Sequence, residues 1–246
     1  MNIQTAQVDV LAIGAHPDDL ELCCGGTLLR LKALGYKVGM VDMTHGERGT
    51  RGTAETRAKE AEAAFKILGF EFRENLDLGD QTLVDTPEKR RTVVECIRRH
   101  RPTLVITHWP SDRHPDHDGC GMLVKQAMFL AGAAGYEAEG EPHTPRRLMH
   151  FPAHWLVECN VYVDVTDFYA KKVEAARCFG SQFYKEDSTE PATFISRKEF
   201  WEDLEARHRF LGSQIGVKYA EGFIIREKIR VDDPVAMLCQ PTIPAG

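Results

Sequence analysis

Between Val8 and Leu130 the chain passes four times from a short apolar run into a segment of helical period. The runs are Val8–Ile13, Lys37–Met43, Phe70–Leu78 and Thr103–His108, and the helices that follow are predicted over Leu20–Leu34, Ala54–Leu68, Pro87–His100 and Met122–Leu130. Strands separated by helices of this length cannot form hairpins, so they lie parallel and are joined by right-handed crossovers. The expected fold class is α/β: a Rossmann-like, mainly parallel sheet flanked by helices. An order of 3-2-1-4 would make the first and fourth strands neighbours with crossovers on opposite faces, and ligands in such sheets bind at the carboxyl ends of the strands beside that switch point.

Both strands that flank the switch point run into His- and Asp-rich turns. The first turn is Ala15-His16-Pro17-Asp18-Asp19-Leu20-Glu21; the second is Asp112-Arg113-His114-Pro115-Asp116-His117-Asp118, about 100 residues later. Taken singly, either reads as a helix-capping turn, since Asp is a favoured N-cap. Taken together, after two inner strands, they make a metal site the stronger reading. A catalytic zinc keeps three protein ligands and one open position. His16, Asp19 and His117 supply a His₂Asp set that suits Zn²⁺, with other divalent ions such as Fe²⁺ also compatible. Asp18 is then placed to take a proton from the water that the metal activates. His114 can stabilise a developing oxyanion or protonate a leaving amine, and Asp116 can orient His114. These parts suit hydrolysis of an amide or ester.

Composition narrows the alternatives. Lys plus Arg is 31 against 37 for Asp plus Glu, a net charge of −6, which gives no support to nucleic-acid binding. No apolar run approaches the roughly 20 residues of a membrane span, and no basic segment precedes the first apolar run as a signal peptide would require. Seven cysteines without a Cys-x-x-Cys do not make a disulfide framework, and a cytoplasmic setting is expected. A structural zinc site is disfavoured because no cysteine falls in either cluster; Cys120 is the nearest. A non-catalytic sugar- or nucleotide-binding module is disfavoured because Asp18, Asp19 and Asp116 would repel a phosphate.

Smaller features remain open. Gly25-Gly26 marks either close helix packing or room for a ligand. The loop Thr44–Thr53, rich in Gly and Arg, reads as a binding loop or a solvated one. Arg57 reads as a surface partner of Glu60, and His208 as a packed or surface residue. Ala138–Arg146 is expected to be a loop, Arg147–Phe151 and Asn160–Val165 strands, and Thr166 the cap of a helix over Asp167–Phe179. Gly180–Phe194 is irregular, Ser196–Ile215 helical and Glu221–Lys228 a last strand, with a loosely ordered tail after Asp233. No linker divides residues 1–246, so one domain is expected.

Ala-His-Pro-Asp-Asp-x-Glu near the N-terminus, paired with His-x-Asp-His after the fourth strand, resembles the signatures of the zinc-dependent N-acetylglucosaminide deacetylases, the PIG-L/LmbE-like superfamily. The resemblance implies His16, Asp19 and His117 as zinc ligands, Asp18 as general base and His114 as oxyanion-stabilising acid. Gly46–Thr53, Asp112–His117 and Gly212–Phe223 look closest to the bacillithiol-pathway N-acetylglucosaminyl-malate deacetylases. That branch implies release of acetate from a small glycoside substrate and a homo-oligomer, a hexamer in some members. On this reading Arg51 and Arg113 are expected to bind the malate carboxylates, Glu47 the sugar hydroxyls and Tyr219 a further part of the substrate. A thiol-conjugate amidase, or a deacetylase of another small N-acetylglucosaminide, is the alternative within the enzymes.

Overall fold

The computed structural model describes residues 6–239. Five strands form the main sheet: β1 (Val10–Gly14), β2 (Val38–Asp42), β3 (Phe72–Asn75), β4 (Leu104–His108) and β5 (Arg147–Phe151). Their order is β3-β2-β1-β4-β5 and every pairing is parallel. The expected 3-2-1-4 order is therefore present, with β5 added beside β4. A two-stranded antiparallel sheet, β6 (Val161–Asp164) with β7 (Ala220–Phe223), joins the edge of the first through a bridge between His150 and Ile224.

Alternation along β1 builds two cores. Val10 and Ala12 face a cluster containing Leu20, Leu28, Ala64, Leu68 and Phe179, while Leu11 and Ile13 face Val93, Ile97, Leu123 and Val124. A strand covered on both faces must be apolar throughout, which is why Val10–Gly14 shows no polar alternation. The covering helices are α1 (Asp19–Cys23), α2 (Gly25–Ala33), α3 (Ala54–Leu68), α4 (Pro87–His100), α5 (Pro115–Gly132), α6 (Tyr169–Ala176) and α7 (Phe200–Ser213). Thr53 and Thr86 cap α3 and α4 by accepting from Thr56 N and Lys89 N, as hydroxyls do at helix starts.

Several expected elements are corrected. The helix expected over Leu20–Leu34 is two, broken at Cys24 (φ −139°, ψ 7°). The break frees the amides of Gly26 and Thr27, which the Glu221 carboxylate accepts at 3.0 and 2.7 Å. A Cβ on Gly26 would come within 2.7 Å of Val165, so its glycine serves close packing. α5 begins at Pro115 rather than Met122, with His114 as its N-cap. Thr166 lies in a 3-10 turn, Thr166–Phe168, and α6 starts after it. The tail after Asp233 contains a short helix, α8 (Pro234–Leu238), capped by Asp233. The 138–146 segment is a loop as expected, fastened by the Arg98 guanidinium to the carbonyls of Ala138 and Gly140.

Candidate active site

Because β1 and β4 are neighbours, the two His/Asp turns meet at their carboxyl ends. Asp19 stands at the centre. Its Oδ2 accepts from the His16 backbone N–H at 2.8 Å and lies 3.0 Å from His108 Nε2, and its Oδ1 lies 3.2 Å from His117 Nε2. His16, Asp19 and His117 are all buried, and one ligand atom from each falls within 4.8 Å of the others. Two imidazoles and one carboxylate on a pocket wall fit a catalytic rather than a structural divalent site. His16 with His114 and Asp116, and Asp112 with His117 and His154, are also close enough to share an ion. Two features favour the first set: the Asp116 carboxylate of the second set is already taken by the backbone amides of Gln81 and Leu83, and His117 has its Nδ1 already engaged by Asp112 Oδ1 at 3.1 Å. That leaves Nε2 facing Asp19, the arrangement in which an outer carboxylate orients a ligand histidine.

Electrostatics follow from this packing. Burial works against the carboxylate of Asp19, but His117 and His108 outweigh it and hold its pKa well below the usual range. Burial likewise opposes charge on His117, yet Asp19 and Asp112 raise its pKa to about 9. His16 is raised by Asp116, Asp19 and Asp80 against the same penalty.

Asp18 is the N-cap of α1 at φ 113°, a region non-glycine residues seldom occupy. Such a conformation costs of order 1–3 kcal/mol and gathers at functional sites. It holds the carboxylate in the pocket wall, 3.3 Å from Arg57 Nη2. Burial lifts the Asp18 pKa to about 7, while Arg57 pulls it down. Arg57 does not take the surface position expected of it; it is buried and also donates to the Pro17 carbonyl. Its path exists because residue 46 is glycine, where a Cβ would fall 1.9 Å from Arg57 Nη1. Glu60, its expected partner, accepts from Ser181 N and Oγ, both at 2.7 Å.

His114 lines the pocket, and its Nδ1 accepts from the Asp116 backbone N–H at 3.2 Å. The ring proton therefore sits on Nε2. Burial, with His16 and His117 nearby, lowers its pKa and keeps the ring neutral. The Asp116 side chain does not orient His114 as expected. Its Oδ2 lies 3.2 Å from His16 Nε2, and the carboxylate accepts from Gln81 N and Leu83 N.

The expected substrate contacts divide. Arg113 is exposed on the cleft, its guanidinium 4.6 Å from the Phe194 ring centre. Arg51 is buried and donates to the carbonyls of Ser181, Pro191 and Phe183 and to Ser188 Oγ, so it clamps the 181–191 segment rather than offering a cation. Glu47 lies outside the pocket lining and accepts from Asp80 N at 2.7 Å. Tyr219 is stacked on Tyr169 with centres 3.9 Å apart and donates to Glu205 at 2.7 Å, away from the cleft. The Glu21 carboxylate is 2.5 Å from Arg73 and faces the core.

Three polar residues escape the sequence reading as members of the site, Asp80, His108 and His154, and a fourth, Asp112, is placed in the second turn without a role. Asp80 Oδ1 is 3.2 Å from His16 Nε2. Asp112 Oδ1 takes His154 Nδ1 at 2.6 Å as well as His117, and His154 stacks against His117 at 5.1 Å. The position of His108 at the carboxyl end of an inner strand and that of Asp112 within the second turn are the available signals.

A family model described as PIG-L, GlcNAc-PI de-N-acetylase, matches residues 11–128, a span that includes both His/Asp turns. Diacetylchitobiose deacetylase of Thermococcus kodakarensis is 32% identical over 229 residues, covering 87% of this chain and 81% of that protein. A probable N-acetyl-alpha-D-glucosaminyl L-malate deacetylase 2 of Bacillus anthracis is 30% identical, covering 78% and 93%. The crystal structure of the conserved protein TT1542 from Thermus thermophilus superposes with a TM-score of 0.83 at 36% identity, covering 92% and 98%. A 4-oxalmesaconate hydratase of Pseudomonas putida, 26% identical over 74% and 76% of the two chains, shows that relatives do not all carry one reaction.

Proposed function

Because the chain belongs to the PIG-L family of GlcNAc-PI de-N-acetylases, hydrolases of amide bonds, we propose that it removes the N-acetyl group of a small N-acetylglucosamine conjugate by metal-dependent hydrolysis. The observation that carries this reading is the meeting of Asp19 with His117, 3.2 Å apart, beside the buried Asp18 carboxylate. His16, Asp19 and His117 would hold the ion. Two nitrogens and one carboxylate suit Zn²⁺, with Fe²⁺ also compatible. When bound, the ion polarises the amide carbonyl and brings the pKa of water down to about 7.

Asp18 takes the proton of the attacking water. A base with a pKa near the working pH is the efficient kind, and burial places Asp18 at about 7. Arg57 fixes the orientation of its carboxylate. His114 presents Nε2–H to the carbonyl oxygen as negative charge develops there, an oxyanion contact made by a neutral donor. The C–N bond then breaks, and the departing amine takes the proton that Asp18 has just received. One water is consumed; acetate and a glucosamine conjugate leave.

For the aglycone we assign an acid of the malate kind, as in a bacillithiol precursor. Arg57, Arg113 and Arg207 line the cleft. Arg57 is on Asp18 and Arg207 donates to backbone carbonyls, whereas Arg113 meets an aromatic face and can take a carboxylate through two bonds. Diacetylchitobiose is the second reading, supported by the 32% identity to a diacetylchitobiose deacetylase. Acetate release by zinc-loaded and chelator-stripped protein from N-acetylglucosaminyl-malate, diacetylchitobiose and free N-acetylglucosamine tests both. Zinc-dependent release with preference for the malate conjugate is expected. Preference for diacetylchitobiose would transfer the assignment, and no release from any of the three would end the deacetylase reading.

A further inference from the structure

The cleft encloses about 460 Å³, and its lining is lopsided. Thr50, Gln81, Arg113 and Asp203, all exposed, stand on the lining where it meets solvent. Leu22 and Cys23 follow Asp18 and Asp19 by one helical turn on α1, so the wall that carries the candidate base and ligand continues directly into an apolar one. Phe200, Leu204 and Leu211, on one face of α7, complete that side, and Leu22, Phe200 and Leu211 are each less than 10% exposed.

Three polar residues reach the apolar side, and each is already engaged. Arg207, on the same face of α7, donates to the carbonyls of Pro152 and Ala153. His208 Nε2 accepts from Lys172 Nζ at 2.7 Å while its Nδ1–H donates to the Leu204 carbonyl. Glu221 takes the same ammonium at 2.5 Å, along with the amides of Gly26 and Thr27. Sugar hydroxyls buried there would give up water without gaining partners, at a cost of some kcal/mol for each group. Hydrocarbon would gain instead. An acetyl group offers one methyl to this space.

We propose that the chamber bounded by Leu22, Cys23, Phe200, Leu204 and Leu211 receives the acyl chain of the substrate, and that N-acyl amines with acyl groups longer than acetyl are preferred. The proposal rests on the amidohydrolase reading above and specifies its acyl side. The reaction is unchanged in balance: water adds to the acyl carbon, the C–N bond breaks, and a longer carboxylate and the free amine leave.

The test is a series of N-acetyl, N-butyryl and N-hexanoyl derivatives of one methyl glucosaminide, with zinc-loaded full-length protein and amine release as the readout. Each buried methylene contributes roughly 0.8 kcal/mol, about fourfold, so kcat/KM is expected to rise at least tenfold from acetyl to hexanoyl. Filling the chamber with Leu211→Trp should collapse the hexanoyl-to-acetyl ratio. Should that variant fail to fold, competitive inhibition of the unaltered enzyme by hexanoate against acetate gives the same comparison, hexanoate being expected to bind at least tenfold more tightly. Turnover of the acetyl compound with a fall along the series would overturn the chamber and leave the deacetylase. Amine release from no member would overturn both.

Discussion

The Asp18 carboxylate lies 3.3 Å from the Arg57 guanidinium, and both side chains are buried. Burial raises the Asp18 pKa to about 7, and Arg57 is the group that restrains it. A carboxyl group protonated below its pKa cannot act as base, so kcat/KM should fall as pH drops through that value. Arg57→Met removes the restraint and should move this acid limb to higher pH, with activity recovering in alkaline buffer. Asp18→Asn should lower kcat by about 10²–10⁴-fold while zinc content stays near one per chain. A pH–rate profile with zinc analysis checks both, and an acid limb unmoved in Arg57→Met would remove the coupling.

Metal retention should separate ligands from the residues that orient them. Asp19→Ala and His117→Ala are expected to lose the ion on dialysis. Asp112→Asn leaves the ligands in place but removes the carboxylate that holds His117 at Nδ1, and should weaken zinc binding about 10–100-fold. Competition titration against a zinc chelator measures the three; unchanged affinity in Asp112→Asn would reduce the Asp112 contact to a packing detail.

Arg51 and Arg113 should give opposite phenotypes. Arg51→Ala strips partners from three carbonyls, a loss of about 1.5–3 kcal/mol for charged hydrogen bonds. Its Tm should fall by about 5–10 °C, with proteolysis within 181–191 but no selective loss on an acidic aglycone. Arg113→Ala should keep its Tm and raise KM for N-acetylglucosaminyl-malate about tenfold more than for free N-acetylglucosamine. A parallel rise for both substrates would leave the carboxylate without a partner.

His208 makes stability depend on pH. Burial and the adjacent Lys172 ammonium hold its pKa well below the usual 6.5. The unfolded chain therefore binds this proton more readily, and stability is lost as pH falls below 6.5. His208→Gln keeps a hydrogen-bonding side chain and removes the titration, so the drop in Tm between pH 7 and pH 5 should be smaller than in the parent. An equal drop would place the sensitivity elsewhere, with His108, whose pKa burial lowers to about 4, as the next candidate.

The parallel order and the convergence of residues 16–19 with 114–117 are legible because local signals determine them: apolar runs, helical period, and turns at strand ends. Contacts carried by distant partners are not. Arg51 looks like a free cation until the segment 181–191 folds against it, and Tyr219 like a substrate contact until Tyr169 stacks on it. Arg57 misleads because i,i+3 spacing to Glu60 is visible in one helix, whereas its route past Gly46 to Asp18 is a tertiary fact. Asp116 pairs with a different histidine from the expected one for the same reason: His114 is two residues away, and His16 is a hundred.

The carboxylate that caps α2 comes from residue 221, in the last strand. A chain still being synthesised carries all eight His and Asp residues of the two turns by the time residue 118 has left the ribosome. The amides of Gly26 and Thr27 still lack their acceptor then, and Leu22 and Cys23 have no α7 opposite them. A chain extended as far as residue 164 carries β1 to β6, yet the cleft gains its remaining wall only when α7 and β7 have followed. Completion of the site thus waits on α7 and Glu221 and is not something its early motifs can reach alone.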